Sequence, residues 1–544
     1  MHAITQKSSL VESLNFSLAP YTGPWTRQEA AHLLRRATFG FTRQQLDEFT
    51  AAGLEATMQQ LFADQPPPAP PVHATNGDNV PAGQTWIDSP LNPADPFRSA
   101  AQRLFNLSAW LGELILEEGI SLRQQLSLFW HNHFAINNGM EPRYNYQYVA
   151  LFQAKPWGDF RQLVKDITID PLMLIFLNGN QNTAEAPNEN YARELLELFT
   201  IGKGPQVGPG DYTNYTEDDV IQMARVLTGW VDRGFNSTVI GEVSSTFRSQ
   251  LHDSGSKQLS HRFNNVVVEN ADELEYANLV DIIFQQDEVA RFICRKLYRW
   301  FVYYEISDFT ENGVIEPMAQ ILIDNDYEIR PALKALLCSE HFFDVLSQGP
   351  MIKNPISFST QFAKLFELSI PATPPRRRQQ TILGLLGNAG ELGMSYFTPP
   401  NVAGWKAYYQ EPLYYRLWIN SATLPVRQDY VERLVGDGIM IGNGGTQEPL
   451  RADLLAFVAG LNQPEDPNLL IDQLAELLFP RPIAQEQKVV LKDILIPGLP
   501  DFEWTVEYGT YAEDPTDEEL AASIQTKLRR LLVAMLNMPE YQLS

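Results

Sequence analysis

The stretch NENYARELLELF, residues 188–199, holds the densest set of side chains able to do chemistry. Glu189, Arg193 and Glu197 recur every four residues, and wound at 3.6 residues per turn they share one arc with Asn190 and Glu194. Ala192, Leu195, Leu196, Leu198 and Phe199 fill the opposite arc, which predicts an amphipathic helix. The plainer reading is a solvated face laced by Glu189–Arg193–Glu197 pairs, each contributing about 0.2–0.5 kcal/mol. The sharper reading is three carboxylates and an amide lining a cleft. A carboxyl pair does general acid and base work when burial separates the two pKa values, and Arg193 can hold an anionic group in its planar fork.

A second group lies in LSLFWHNHFAI, residues 126–136. In a helix, Leu122, Leu126, Phe129 and His133 share a face, and His131 points about 200° away from His133. One metal cannot take both, unlike the i, i+4 histidine pair of a metalloprotease helix. His133 therefore reads as a hydrogen-bonded core histidine or a catalytic group. His131 reads as an exposed or interfacial residue or a ligand. Further on, LHDSGSK places His252 beside Asp253, a pair that can join a metal site, although Asp-Ser-Gly is equally a turn. The loop FTPPNVAGW, residues 397–405, sets Asn401 and Trp405 among Tyr396, Tyr408, Tyr409, Tyr414 and Tyr415. Such a loop suits stacking on a sugar ring or a partner, or a plug closing the core. The chain has no GxxxxGKS/T, GxSxG, HExxH or CxxC pattern.

These groups hang on predominantly helical text. Helices are expected as two over 26–64, where Thr26 with Glu29 forms a capping box and Thr42 caps the second. More follow over 97–177, 188–201, 216–230, 271–345, 353–368 and 377–391, and three or four over 449–544. PPPAPP and NPADP break the pattern between 65 and 96. The β-branched runs between 232 and 268 predict one small β-hairpin near 233–268. A Pro-, Gly- and aromatic-rich loop spans 396–417. With no internal repeat, the expectation is a mainly α fold: a tail at 1–27, then one large multi-helix domain over 28–544 with long irregular loops.

Composition narrows the function classes. The chain has 66 Asp plus Glu against 41 Lys plus Arg, a formal charge of −25. That excludes a generally basic nucleic-acid binder and argues against docking on anionic lipid. Cys294 and Cys338 read as free thiols whose pairing spacing alone cannot decide. No run approaches the ~18–20 apolar residues of a membrane span, and the first residues lack the apolar stretch of a secretory signal. The default expectation is cytoplasmic, the alternative a periplasmic or extracellular protein exported with a partner.

Taken in order, AHLLRRATFGFT (31–42), FWHNHFAI (129–136), NENYARELLELFTIG (188–202), YTEDDVIQMARVLTGW (215–230), HDSGSK (252–257), KLYRWFV (296–302), PPNVAGW (399–405) and MPEYQ (538–542) resemble a large bacterial family, domain of unknown function number eighteen hundred. The resemblance implies a single, mainly helical protein with no established reaction. It also implies a companion encoded nearby, similar to alkaline phosphatases and sulfatases and often exported by the twin-arginine route. Phe199 stands where the family pattern suggests a histidine. Two functions are then expected. One is a carboxylate-based hydrolase or lyase, with or without a divalent metal, acting on a polymer such as a polysaccharide. It would use Glu189, Glu194, Glu197, Arg193 and His133 catalytically, His131, His252 and Asp253 as ligands, and Asn190, Asn401 and Trp405 against substrate. The other is a non-catalytic partner or assembly protein that binds the phosphatase-like companion.

Overall fold

The computed structural model describes residues 15–137, 141–442 and 447–544; the opening residues read above for a signal lie mostly outside these. The fold is mainly α, with short two-stranded antiparallel hairpins. Local chemistry explains many helix starts. Thr26 with Glu29 forms the expected capping box of the Arg27–Ala37 helix, and Thr42 caps Arg43–Ala52 as expected, there in a capping box with Gln45. Gly53 then adopts φ +87 and starts a third helix, Leu54–Leu61, where two helices were expected. Thr216 with Asp219 caps Glu217–Val226 in the same manner.

Two helices form the centre. Every residue of Arg123–His133 is buried, as are nearly all of Pro355–Leu365. The first described helix, Arg27–Ala37, meets this centre where Gln361 Nε2 donates to Arg35 O at 3.3 Å and Gln125 Nε2 to Thr38 O at 2.9 Å, and Arg35 Nη2 donates to the carbonyls of Glu476 (3.0 Å) and Leu477 (2.9 Å), 441 and 442 positions away.

The Pro-rich excursion is clamped to the helices. Buried Arg103 donates through Nε to Asp78 (2.7 Å) and through Nη1 and Nη2 to the carbonyls of Ser89 and Pro90. His73 Nε2 meets the same Asp78 oxygen at 2.8 Å. Buried Arg143, paired with Glu141 at 2.7 Å, also donates to the carbonyls of Gly234, Ile240 and Gly241 and so pins the next irregular segment.

The expected strand region holds two hairpins rather than one, Trp230–Arg233 with Ser244–Phe247 and Lys257–Gln258 with Val267–Val268. Two more, Gln206–Gly208 with Asp211–Tyr212 and Ile439–Ile441 with Glu448–Leu450, were not expected. The final hundred residues form five helices from Leu454 to Leu536 where three or four were expected. Cys294 is buried and Cys338 half-buried, and both are free thiols. Among the described residues no helix is long and apolar enough to cross a membrane.

Asp170 is a buried carboxyl whose Oδ1 accepts from the amides of Leu172 (2.9 Å) and Met173 (3.1 Å), while Oδ2 makes no hydrogen bond among the described residues. Burial raises its pKa to about 7. A folded pKa above the unfolded value stabilises most below about pH 4, and that contribution is lost as pH rises toward 7. Asp170→Asn is expected to remove about 1.4 kcal/mol per pH unit of slope from unfolding free energy between pH 4 and 7. Urea titrations across that range check this; an unchanged slope would place the titration elsewhere.

Candidate functional site

The helix carrying the glutamates begins as expected. Asn188 Oδ1 accepts from the Asn190 amide at 3.0 Å, and Glu189–Glu194 is α-helical. It then widens into a π-helix, Leu195–Thr200, with Thr200 Oγ1 donating to the Leu195 carbonyl at 2.6 Å. The α-helical arithmetic therefore holds only to Glu194, and π segments often mark functional sites. Two carbonyls of the widened turn are met from inside. Lys296 Nζ donates to Leu198 O at 2.8 Å, and His133 Nε2–H donates to Phe199 O at 3.1 Å. Nδ1 of His133 is thereby the lone-pair nitrogen, and Lys296 Nζ lies 3.2 Å from it. Burial, then Lys296, pushes His133 well below its ordinary pKa, and burial brings Lys296 down to about 7. The Phe199 ring packs on Phe134, 5.3 Å between centroids.

The outer face is a chain of half-exposed ion pairs. Arg193 forks onto Glu217 at 3.0 and 2.7 Å and reaches Glu189 at 3.2 Å. The bond with Arg193 raises the guanidinium pKa and lowers that of the Glu217 carboxyl. Exposure limits each such pair to about 0–1 kcal/mol. Glu197 accepts from the Tyr215 hydroxyl at 3.1 Å and lies 3.7 Å from Lys203. Burial, then Glu197, raises the pKa of half-buried Glu194. Asn190 is exposed, its Nδ2 donating to Leu177 O at 3.2 Å.

His131 lies elsewhere and contradicts the exposed reading. It is fully buried, and Nε2 accepts from the Phe397 amide at 2.9 Å. Its ring stacks on Trp405 at 5.6 Å and meets Tyr396 and Phe397 edge-on. Burial lowers its pKa to about 3, so it is neutral at physiological pH. Trp405 is 1% exposed, which removes it from any surface stacking role. The Trp405 amide donates to Asn132 Oδ1 at 2.9 Å. Gly404, at φ +90, lies so close that an added Cβ would strike Asn132. The loop is the core plug. Asn401 is exposed and bonded to the Tyr409 hydroxyl at 2.7 Å.

His252 and Asp253 belong to a third group. His252 Nδ1 lies 2.9 Å from Thr228 O, and Nε2 lies 2.9 Å from Glu275 Oε2. Lys257, fully buried, pairs with the other Glu275 oxygen at 2.5 Å. Asp253 faces Arg225 at 2.7 Å and accepts from the Gly255 amide at 2.9 Å, the turn reading. The structure thus brings Glu189, Arg193 and Glu197 together with Glu217, Tyr215 and Lys203. It puts His133 behind that helix and His131, His252 and Asp253 away from it. Among the described residues no group of three or more His, Cys, Asp or Glu side chains is placed to hold a metal ion.

Sequence reasoning missed Lys296, Glu217, Asn132 and Glu275. The signal for Lys296 is a lysine inside the apolar run FICRKLYRWF. Glu217 stands at the start of a helix, where an acidic residue has an ordinary explanation in the helix dipole. Asn132 stood between two histidines that drew the attention. Glu275 carries no motif at all.

A family model described as "Protein of unknown function (DUF1800)" matches residues 32–543. No curated protein and no solved structure matches the chain.

Proposed function

The chain belongs to the DUF1800 family, and from that premise we propose that it is a non-catalytic binding and assembly protein. The observation that carries this reading is the separation of the groups an active site would need. Glu189 and Glu197 are engaged with Arg193, Lys203 and Tyr215 on a half-exposed face, while His133 is buried behind the helix and His252 is bonded to Glu275. A surface for a partner lies on the C-terminal helices. Val489 and Val490, on Gln485–Leu495, and Phe502 and Val506, on Asp501–Glu513, are 54–62% exposed. A Lys492–Asp501 pair at 3.0 Å links the two helices. These exposed apolar side chains are the contact proposed for the partner. The partner proposed first is the phosphatase- and sulfatase-like companion implied by the resemblance, with export in its company as the route out of the cytoplasm.

Light scattering on the mixed pair tests this. The wild-type chain is expected to form a complex with that companion. Phe502→Asp with Val506→Asp is expected to weaken it about tenfold or more while leaving unfolding within about 0.5 kcal/mol per exposed site. A pair that stays apart at micromolar concentration overturns the proposal.

An enzyme reading keeps one supporting observation: Glu194 is half-buried beside Glu197, with its pKa raised. That is the state of a general acid. Polysaccharide turnover by the purified chain, abolished by Glu194→Gln, would establish it in place of the first reading.

A further inference from the structure

Four buried cations have carboxylate partners: Arg103 has Asp78, Arg143 has Glu141, Lys257 has Glu275 and Arg123 lies 4.0 Å from Glu118, while among the described residues fully buried Arg427 has none and donates to the Lys353 carbonyl and Gln542 Oε1. One group also lacks such partners. Arg35 and Arg36, adjacent on the first helix, are each 6% exposed, and Lys353 is 3% exposed. Among the described residues none of the three forms an ion pair with a carboxylate, in a chain whose formal charge is −25.

What they do contact leaves donors over. Arg35 uses Nη2 on the Glu476 and Leu477 carbonyls. Arg36 donates through Nη2 to Ser347 O at 3.2 Å, and its buried Nε has no hydrogen-bond partner among the described residues. Lys353 Nζ sits 4.0 Å above the Tyr541 ring, and no hydrogen bond of this ammonium is found among the described residues. Burial, then Arg35 and Arg427, pushes the Lys353 ammonium well below its ordinary pKa, and an anion held beside Arg35, Arg36 and Lys353 would offset the cost of keeping positive charge there.

They also face one space. Arg35, Arg36, Lys353, Asn354, Ser357 and Gln361 line a cavity of ≈ 30 Å³; Ser544 also borders it. A neighbouring cavity of ≈ 20 Å³ shares Arg35, Lys353 and Gln361. One water needs about 10–15 Å³, so the larger space suits a group of a few heavy atoms and excludes a sugar or nucleoside. The eleven-residue helix Pro355–Leu365 starts at this wall, with Asn354 as its N-cap, and a helix N-terminus carries about half a positive charge. Arg35 also lines a groove of ≈ 350 Å³ with Phe479, Pro480 and Arg481.

We propose that this cavity binds a compact tetrahedral oxyanion of the phosphate and sulfate class. Arg36 and Lys353 supply the free donors, Arg35 a fixed positive wall next to the groove, and Ser357 and Gln361 polar contacts at the side.

Calorimetric titration of the full chain with inorganic phosphate and with sulfate tests this, against chloride at matched ionic strength, with thermal unfolding in the same buffers. Saturable binding of one oxyanion per chain is expected, with a Tm that rises in phosphate or sulfate and not in chloride. Acetate, planar and smaller, is expected to bind more weakly. Arg36→Gln and Lys353→Met are each expected to weaken binding about ten- to hundredfold, the loss of one charge-assisted contact. Lys353→Met also separates binding from folding. It removes a buried amine that has no hydrogen bond among the described residues, so without oxyanion it is expected to unfold at the wild-type temperature or above, while losing the phosphate response. Absence of binding by the wild-type chain, or equal affinity in wild type and both variants, overturns the proposal.

Discussion

Alanine at Trp405 is expected to destabilise the fold by about 3–5 kcal/mol, the range for emptying a core aromatic site. Trp405 is 1% exposed and stacks on His131, which is itself fully buried against Tyr396 and Phe397. The surroundings cannot collapse freely into the space, because the neighbouring Gly404 lies against Asn132 and the Trp405 amide is bonded to the same asparagine. The urea midpoint of unfolding measures the effect. A loss below about 1 kcal/mol, accompanied by loss of a ligand, would return Trp405 to the stacking role the sequence suggested.

Glu275→Ala is expected to cost a similar amount, about 3–5 kcal/mol, for an electrostatic reason. The carboxylate is fully buried between Lys257 and His252. Its removal leaves the Lys257 ammonium, also fully buried, with no counter-charge, and breaking one side of a buried pair is far more costly than the pair is worth. The same variant separates two roles for His252. If His252 is a structural acceptor and donor, added zinc or manganese leaves the variant's stability and the wild-type's unchanged. If it were a metal ligand, wild-type stability would rise with metal by mass action and a chelator would reverse the gain.

Much of the local structure was legible because its causes are local. Thr26, Thr42 and Thr216 cap helices through contacts three residues long, which spacing alone reveals. The amphipathic arc of Glu189–Glu194 was visible for the same reason, and so was the Asp253 turn. Other features depend on groups distant in the chain. The π widening of Leu195–Thr200 goes with bonds from Lys296 and His133 to its carbonyls, and neither partner lies within 60 residues of it. His131 was read as exposed because its helix was assumed to have a wet side, yet every residue of Arg123–His133 is covered. Gly53 ends one helix and begins the next at a φ only glycine adopts readily, a division hydrophobic periodicity does not record. The candidate site was half legible: the carboxylates and Arg193 were found, but their distance from the histidines was a matter of tertiary placement.

The contact of Arg35 with the carbonyls of Glu476 and Leu477 sets an order of events during synthesis. The first helix leaves the ribosome long before the segment that covers it exists. At about 5–20 residues per second, the 441 positions between Arg35 and Glu476 correspond to about 20–90 s of translation. Through that interval Arg35 lacks the two carbonyls that take its guanidinium in the finished fold. On its Glu476 side the Arg27–Ala37 helix is therefore completed only after most of the chain between them has been made.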